Sequence, residues 1–114
     1  MTHETSRTIA AWAEETFGPA RPEALVDRAA TELAELAESL ASADAKAITS
    51  EAADVAILLH RLAHLHGWDL TAAVDAKMAR NRARIWEQSG DGTGRHLTEA
   101  PDADVSTARG LDGS

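Results

Sequence analysis

Two pairs of acids in this chain are spaced to do chemistry. Glu32 and Glu35 lie in Thr31-Glu32-Leu33-Ala34-Glu35-Leu36-Ala37-Glu38, and Glu51 and Asp54 lie in Glu51-Ala52-Ala53-Asp54. On a helix the i, i+3 spacing puts both carboxylates of a pair on one face, about 5–6 Å apart. Both pairs sit among Ala and Leu, and the second leads straight into Val55-Ala56-Ile57-Leu58-Leu59. Acids that close to an apolar core are costly unless something compensates them. Two such pairs on neighbouring helices would make a cluster of carboxylate oxygens, which suits a hard cation such as Mg²⁺.

The second chemical signal is basic. Lys77, Asn81 and Arg84 are spaced i, i+4, i+7 and share a helix face, with Arg80 and Arg82 beside them. A basic face paired with a metal-binding acid cluster is what a polyphosphate substrate requires, because metal bridges some phosphate oxygens and Lys and Arg hold the rest. From charge alone, a solvated and salt-bridged helix end is the simpler reading.

The elements that must position these groups are helices. Ser6 to Phe17 reads as a first helix with Ile9, Trp12, Ala13 and Phe17 in one apolar stripe, ended by Gly18-Pro19. Core packing is the simplest role for Trp12 and Phe17; base stacking is the alternative, with Trp12 as the candidate substrate contact. A second helix starts near Pro22 and runs to about Leu40, burying Leu25, Ala29, Leu33, Leu36 and Leu40. A third covers roughly Ile48 to His66, stops at Gly67, and is apolar on so many sides that it should be central. Asp69 caps a fourth, from Leu70 to about Trp86, with Val74, Met78 and Ile85 inward. There are no repeats and no strand-like alternation. The expected fold is all-α: a four-helix domain over residues 1–86 and a flexible, disordered acidic tail over 87–114 that buries too little surface to fold. Four short, Ala-rich helices make a thin core for one chain, so a homo-oligomer is expected.

Composition narrows the function. The 114 residues carry a net charge of −8. Up to Trp86 there are 13 acids against 9 bases, so the four clustered acids match the whole deficit of the helical part. An acidic chain argues against binding a nucleic-acid polymer. The absence of cysteine excludes disulfides and thiolate metal sites. No signal peptide and no membrane-length apolar run is evident, so a soluble cytoplasmic protein is expected, with no membrane partner.

Thr31-Glu32-Leu33-Ala34-Glu35, then Glu51-Ala52-Ala53-Asp54, then Gly67-Trp68-Asp69 and Lys77-Met78-Ala79-Arg80-Asn81 together resemble the MazG-like nucleotide pyrophosphohydrolases, all-α enzymes related in fold to dimeric dUTPases. The family pattern is E-E-x-x-E, then E-x-x-D, then Lys and Asn on the following helix, and the likeness covers roughly Ile9 to Trp86. Trp12-Ala13-Glu14-Glu15-Thr16-Phe17-Gly18-Pro19 and the stretch from Lys77 to Trp86 look most like the phage-type dATP/dGTP diphosphohydrolases of that superfamily. One departure is Thr31, which replaces the first Glu; the ligand positions Glu32 and Glu35 are intact.

The resemblance implies a Mg²⁺-dependent enzyme (Mn²⁺ can substitute) with Glu32, Glu35, Glu51 and Asp54 as metal ligands. Glu35 or Glu38 would activate water for attack at the α-phosphorus of a purine deoxynucleoside triphosphate, giving monophosphate and pyrophosphate. Lys77, Asn81 and Arg84 would hold the phosphates, and the assembly would be a homodimer or homotetramer. The competing hypothesis is a non-catalytic dimeric helical module, whose Glu51 and Asp54 would point away from Glu32 and Glu35. Other chemistries are weaker. His60, His64 and His66 lack a partnering acid for zinc, and His60-Arg61 suggests a wet face. No Glu-x-x-His motif for a di-iron centre, no phosphate-cradling Gly-rich loop and no Ser/His/Asp set is indicated.

Overall fold

The computed structural model of the chain describes residues 3–42 and 44–98. Four helices follow in order: α1 (Ser6–Phe17), α2 (Pro22–Ser39), α3 (Ala45–Leu65) and α4 (Leu70–Ala83). Two strands come next, β1 (Ile85–Gln88) and β2 (Gly94–Thr98). The chain divides into two compact units, Met1–Val74 and Asp75–Ser114.

In the first unit each helix end has a local cause. Thr5 and Thr8 form a reciprocal capping box at the start of α1. Pro22 occupies the first turn of α2, and Asp44 Oδ1 accepts from the Ala47 amide at 2.8 Å to start α3. At the end of α3 the Trp68 amide donates to the Ala63 carbonyl at 3.0 Å and the Gly67 amide to His64 at 2.9 Å. This is the Schellman arrangement, and Gly67 supplies its left-handed residue with φ 82°. Asp69 caps α4 as expected, Oδ2 accepting from the Ala72 amide at 3.0 Å.

Helix α3 packs against both α1 and α2, which makes it the central element as its apolar circumference requires. The core is small: Ala10, Ala13, Leu25 and Ala29 are its buried apolar residues. Several positions expected inside are exposed instead. Trp12 and Phe17 are 55% and 68% exposed, and Leu33, Leu40, Val74, Met78 and Ile85 are open as well. On α2, Val26, Ala30, Leu33, Ala37 and Leu40 are all exposed and follow one another at steps of 4, 3, 4 and 3. That spacing is the seam of a helix that packs against another helix, and no such helix lies over it among the described residues of the first unit.

One clasp ties three parts of the first unit together. Buried Ser6 sends its amide to Asp69 Oδ1 at 2.8 Å, and its Oγ takes the Leu70 amide at 2.7 Å. The same Oγ lies 2.7 Å from His60 Nδ1. The two amide donations, first Ser6 and then Ala72, hold the Asp69 carboxyl below its ordinary value of 3.8. Ser6, His60 and Asp69 are thus neighbours, although no Ser/His/Asp set was expected. Their bonding is architectural: the hydroxyl is fully buried and occupied by a backbone amide, so it cannot serve as a nucleophile.

In the second unit the expected tail begins with structure. β1 and β2 pair antiparallel, with Trp86 opposite His96 and Glu87 opposite Arg95. Arg95 Nε donates to Glu87 Oε1 at 2.7 Å, and the rings of Trp86 and His96 lie 5.8 Å apart. The turn uses Gly90 and Gly92 at φ 95° and 94°, and Asp91 accepts from both the amide and the hydroxyl of Thr93. Gly94 is required by space, since a Cβ there would sit 2.5 Å from the Glu87 carbonyl oxygen. The all-α expectation therefore holds for the four helices and is corrected at 85–98, and α4 stops at Ala83 rather than Trp86. The rest of the expected tail, from residue 99, lies outside the described residues.

Candidate active site

The site starts from the facing of α2 and α3. Glu32 and Glu35 stand one turn apart on α2 and Glu51 stands on α3; one carboxylate oxygen from each lies within 4.8 Å of the others. Glu32 and Glu51 are half-buried and Glu35 is exposed. Three negative charges at that separation repel one another strongly in a partly desolvated place. Among the described residues only one of them has a counter-charge: Arg28 Nη2 is 3.1 Å from Glu32 Oε2. Glu51 Oε1 is buried and has no hydrogen-bond partner. A buried carboxylate oxygen without a donor is costly to keep, and an oxygen-only set with one such atom fits a hard divalent cation.

Of the four acids expected to converge, three meet within 4.8 Å. Asp54, one turn beyond Glu51, is exposed and does not belong to the mutual set. It lines, with Glu32, a groove of about 480 Å³ that runs from the acids towards α1. Glu38 is exposed, a turn further along α2 and outside the set. Among the described residues these glutamates are the one group of His and acidic side chains placed to hold a metal. His60, His64 and His66 form none: His60 is bonded to Ser6, and His66 Nδ1 lies 3.0 Å from the Leu62 carbonyl.

The groove explains why two aromatic side chains are left in the open. Trp12 and Phe17 form its α1 wall, packed edge to face with ring centroids 5.5 Å apart. Ile57 and Leu58 form its floor. Arg28 lines it from α2, and Arg61, two helical turns beyond Asp54, lines it from α3. Arg61 is 9% exposed, and its Nη2 donates to the Gly18 carbonyl at 3.2 Å. The wet face expected from His60-Arg61 is thus wrong for Arg61. The available signal was its register, i+7 from Asp54 on the face that also carries Ile57 and Leu58.

In the second unit, Lys77, Asn81 and Arg84 do share a face, and they line a cavity of about 360 Å³. Trp86, Arg95 and His96 line it too. Trp86 Nε1 donates to the Asn81 carbonyl at 2.8 Å, and Asn81 Oδ1 is buried without a partner. Arg95 and His96 were missed because their strand was read as tail.

A helical scaffold that brings three carboxylates together, one of them on an aromatic-walled groove, fits a class, the helical metal-binding hydrolases. The comparisons narrow it. Residues 5–105 match the family described as dATP/dGTP pyrophosphohydrolase. The chain is 38% identical over 94 residues to a dATP/dGTP diphosphohydrolase of Cyanophage S-2L, covering 82% of this chain and 86% of that one. It is 38% identical over 96 residues to a dATP/dGTP diphosphohydrolase of Salmonella phage PMBT28, covering 84% of this chain but only 31% of that relative's length. A solved structure, the Cyanophage S-2L MazG-like pyrophosphohydrolase bound to dGDP and three catalytic Mn²⁺ ions per active site, superposes with a TM-score of 0.65 at 38% identity. That match covers 81% of this chain and 87% of the solved one. The chain belongs to the dATP/dGTP pyrophosphohydrolase family, as the resemblance of its Trp12–Pro19 and Lys77–Trp86 stretches implied.

Proposed function

We propose that the chain hydrolyses purine deoxynucleoside triphosphates to the monophosphate and pyrophosphate, using Mg²⁺ or Mn²⁺. The observation that carries this is Glu51 Oε1, a buried carboxylate oxygen with no donor, set among Glu32 and Glu35. Glu32, Glu35 and Glu51 would hold the metal, with Asp54 contributing from the groove side. A divalent ion bound there would supply Lewis-acid polarisation of a phosphoryl oxygen and a more acidic water. Glu35 is the solvent-facing member, which supports it as the carboxylate that would orient the attacking water and accept its proton. Trp12 and Phe17 offer π-faces to a base, and the groove excludes part of the surrounding water. A purely binding module has no use for three converging acids that share a single protein counter-charge among the described residues.

The cavity of the second unit, taken by itself, presents Lys77, Arg84 and Arg95 with the Asn81 amide, a donor set suited to phosphate oxygens. The α2 seam supports assembly with a second copy.

The test is to incubate the pure protein with each common NTP and dNTP, with Mg²⁺, Mn²⁺ or EDTA, and to separate the products by ion exchange. The expected result is monophosphate and pyrophosphate from dATP and dGTP, only with metal. Diphosphate plus phosphate would place the attack at the wrong phosphorus, and no turnover by folded, metal-loaded protein would overturn the proposal.

A further inference from the structure

Arg61 is the only charged side chain in the buried set among the described residues. A guanidinium has five N–H donors, and the Gly18 carbonyl takes one of them. Among the described residues none of its other nitrogens is a fully buried atom without a partner, so its remaining N–H groups stay open to a ligand in the groove that Arg61 lines. Glu32 and Asp54 share its groove, yet Arg61 makes an ion pair with neither.

The α3 face along the groove reads Asp54, Ile57, Leu58, Arg61: acid, apolar, apolar, base. Two helical turns separate its charged ends, about 10 Å along the axis. That is the reach of a nucleoside monophosphate from its phosphorus to the far edge of its base. A nucleotide held with its phosphates at the acid end would lay its sugar over Ile57 and Leu58 and bring its base to Trp12, Phe17 and the guanidinium.

We infer that Arg61 reads the base, its remaining N–H groups donating to the Hoogsteen edge of a purine. The inference rests on the diphosphohydrolase function proposed above and names the specificity determinant of that site. Both purines present the N7 acceptor, which pyrimidines lack. Guanine adds O6, a second acceptor that matches the guanidinium fork, whereas adenine sets an amino donor against it. Arg61 thus selects purines through N7 and favours guanine over adenine through O6.

The experiment measures kcat and KM of the full chain on dGTP, dATP, dCTP and 7-deaza-dGTP, in which a C–H replaces N7. The wild type should lose about tenfold or more in kcat/KM on the deaza analogue, the size of one good base contact. Arg61→Met should lose a similar factor on dGTP, chiefly through KM, and should show no further loss on 7-deaza-dGTP. Arg61→Lys, which keeps one donor but not the fork, should bring the dGTP to dATP ratio towards one. Equal turnover of dGTP and 7-deaza-dGTP by the wild type would overturn the inference and leave the diphosphohydrolase function standing. A uniform loss on all four substrates in Arg61→Met would also overturn it, reducing Arg61 to a strap between α3 and Gly18. Should Arg61→Met fail to fold, the wild-type comparison of the two guanine nucleotides decides alone. No turnover of any substrate would overturn both.

Discussion

Glu51 carries opposite demands in the metal-free and metal-loaded protein. Its buried oxygen lacks a donor among the described residues and lies near two other carboxylates, a destabilising arrangement; in the site proposed above, a bound metal would make it a ligand. Glu51→Gln should therefore leave the metal-free melting temperature unchanged or raise it. The same variant should lose the stabilisation that Mn²⁺ gives the wild type and at least about a hundredfold in turnover. Thermal melts with and without Mn²⁺, alongside a turnover assay, check both halves; a metal-free variant well below the wild type would contradict the first. Asp69 has a different sign structure. Its folded carboxyl lies below 3.8 because the Ser6 and Ala72 amides bond its charged form. The stability it contributes is present above that value and is lost as pH falls through the lower, folded value. Asp69→Asn should therefore be less stable than the wild type at neutral pH, and the gap should narrow only in strong acid. Denaturant titrations at several pH values would show it, and a gap that widened on acidification would be the wrong sign.

Among the elements, α2 has two working faces. One carries Glu32 and Glu35 towards α3; the other exposes the Val26, Ala30, Leu33, Ala37, Leu40 seam. Leu33→Glu should weaken self-association at the seam without disturbing the glutamate cluster. Light scattering should report a smaller particle, and an unchanged mass would assign the seam another occupant. The hairpin makes its own prediction. In Gly94→Ala the added methyl meets the rigid Glu87 carbonyl, so β1 and β2 must separate. KM for the triphosphate should rise several-fold through loss of Arg95 and His96 from their cavity, with kcat less affected. These elements also show what the sequence made legible. Helix starts at Pro22 and Asp69 and stops at Gly18 and Gly67 are local chemistry, so α1 matches its expected bounds and α2 nearly so, whereas α3 begins at Ala45, behind its Asp44 cap, rather than at the expected Ile48. The acid pairs were legible for the same reason, since helical register alone sets their facing. Which acids meet across two helices depends on how the helices pack, which no local pattern encodes, so the separation of Asp54 from the other three is not legible in the sequence. Trp12 and Phe17 were read as core because bulk apolar residues normally are; here they wall a groove. The hairpin was lost because Ser89-Gly90-Asp91-Gly92-Thr93-Gly94 has the composition of a linker, and its meaning as a turn depends on the cross-strand pairs on either side.

For the molecule as a whole, the Ser6 clasp has a consequence in time. It joins positions 54 to 64 residues apart in the chain, whereas α2 and α3 are consecutive helices joined by a short connection. Closing the larger loop costs more entropy before any contact rewards it. The α2–α3 hairpin should therefore form first and bring Glu32, Glu35 and Glu51 together, while α1 docks late and carries the aromatic wall with it. Ser6→Ala removes the hydroxyl that receives the Leu70 amide, a loss of about 1–3 kcal/mol. Stopped-flow measurements should find most of that loss as faster unfolding, with the folding rate little changed. A fall in the folding rate instead would place the docking of α1 in the nucleus. In the expected order, the newly folding chain acquires its affinity for divalent ions before it acquires any surface on which to hold a base.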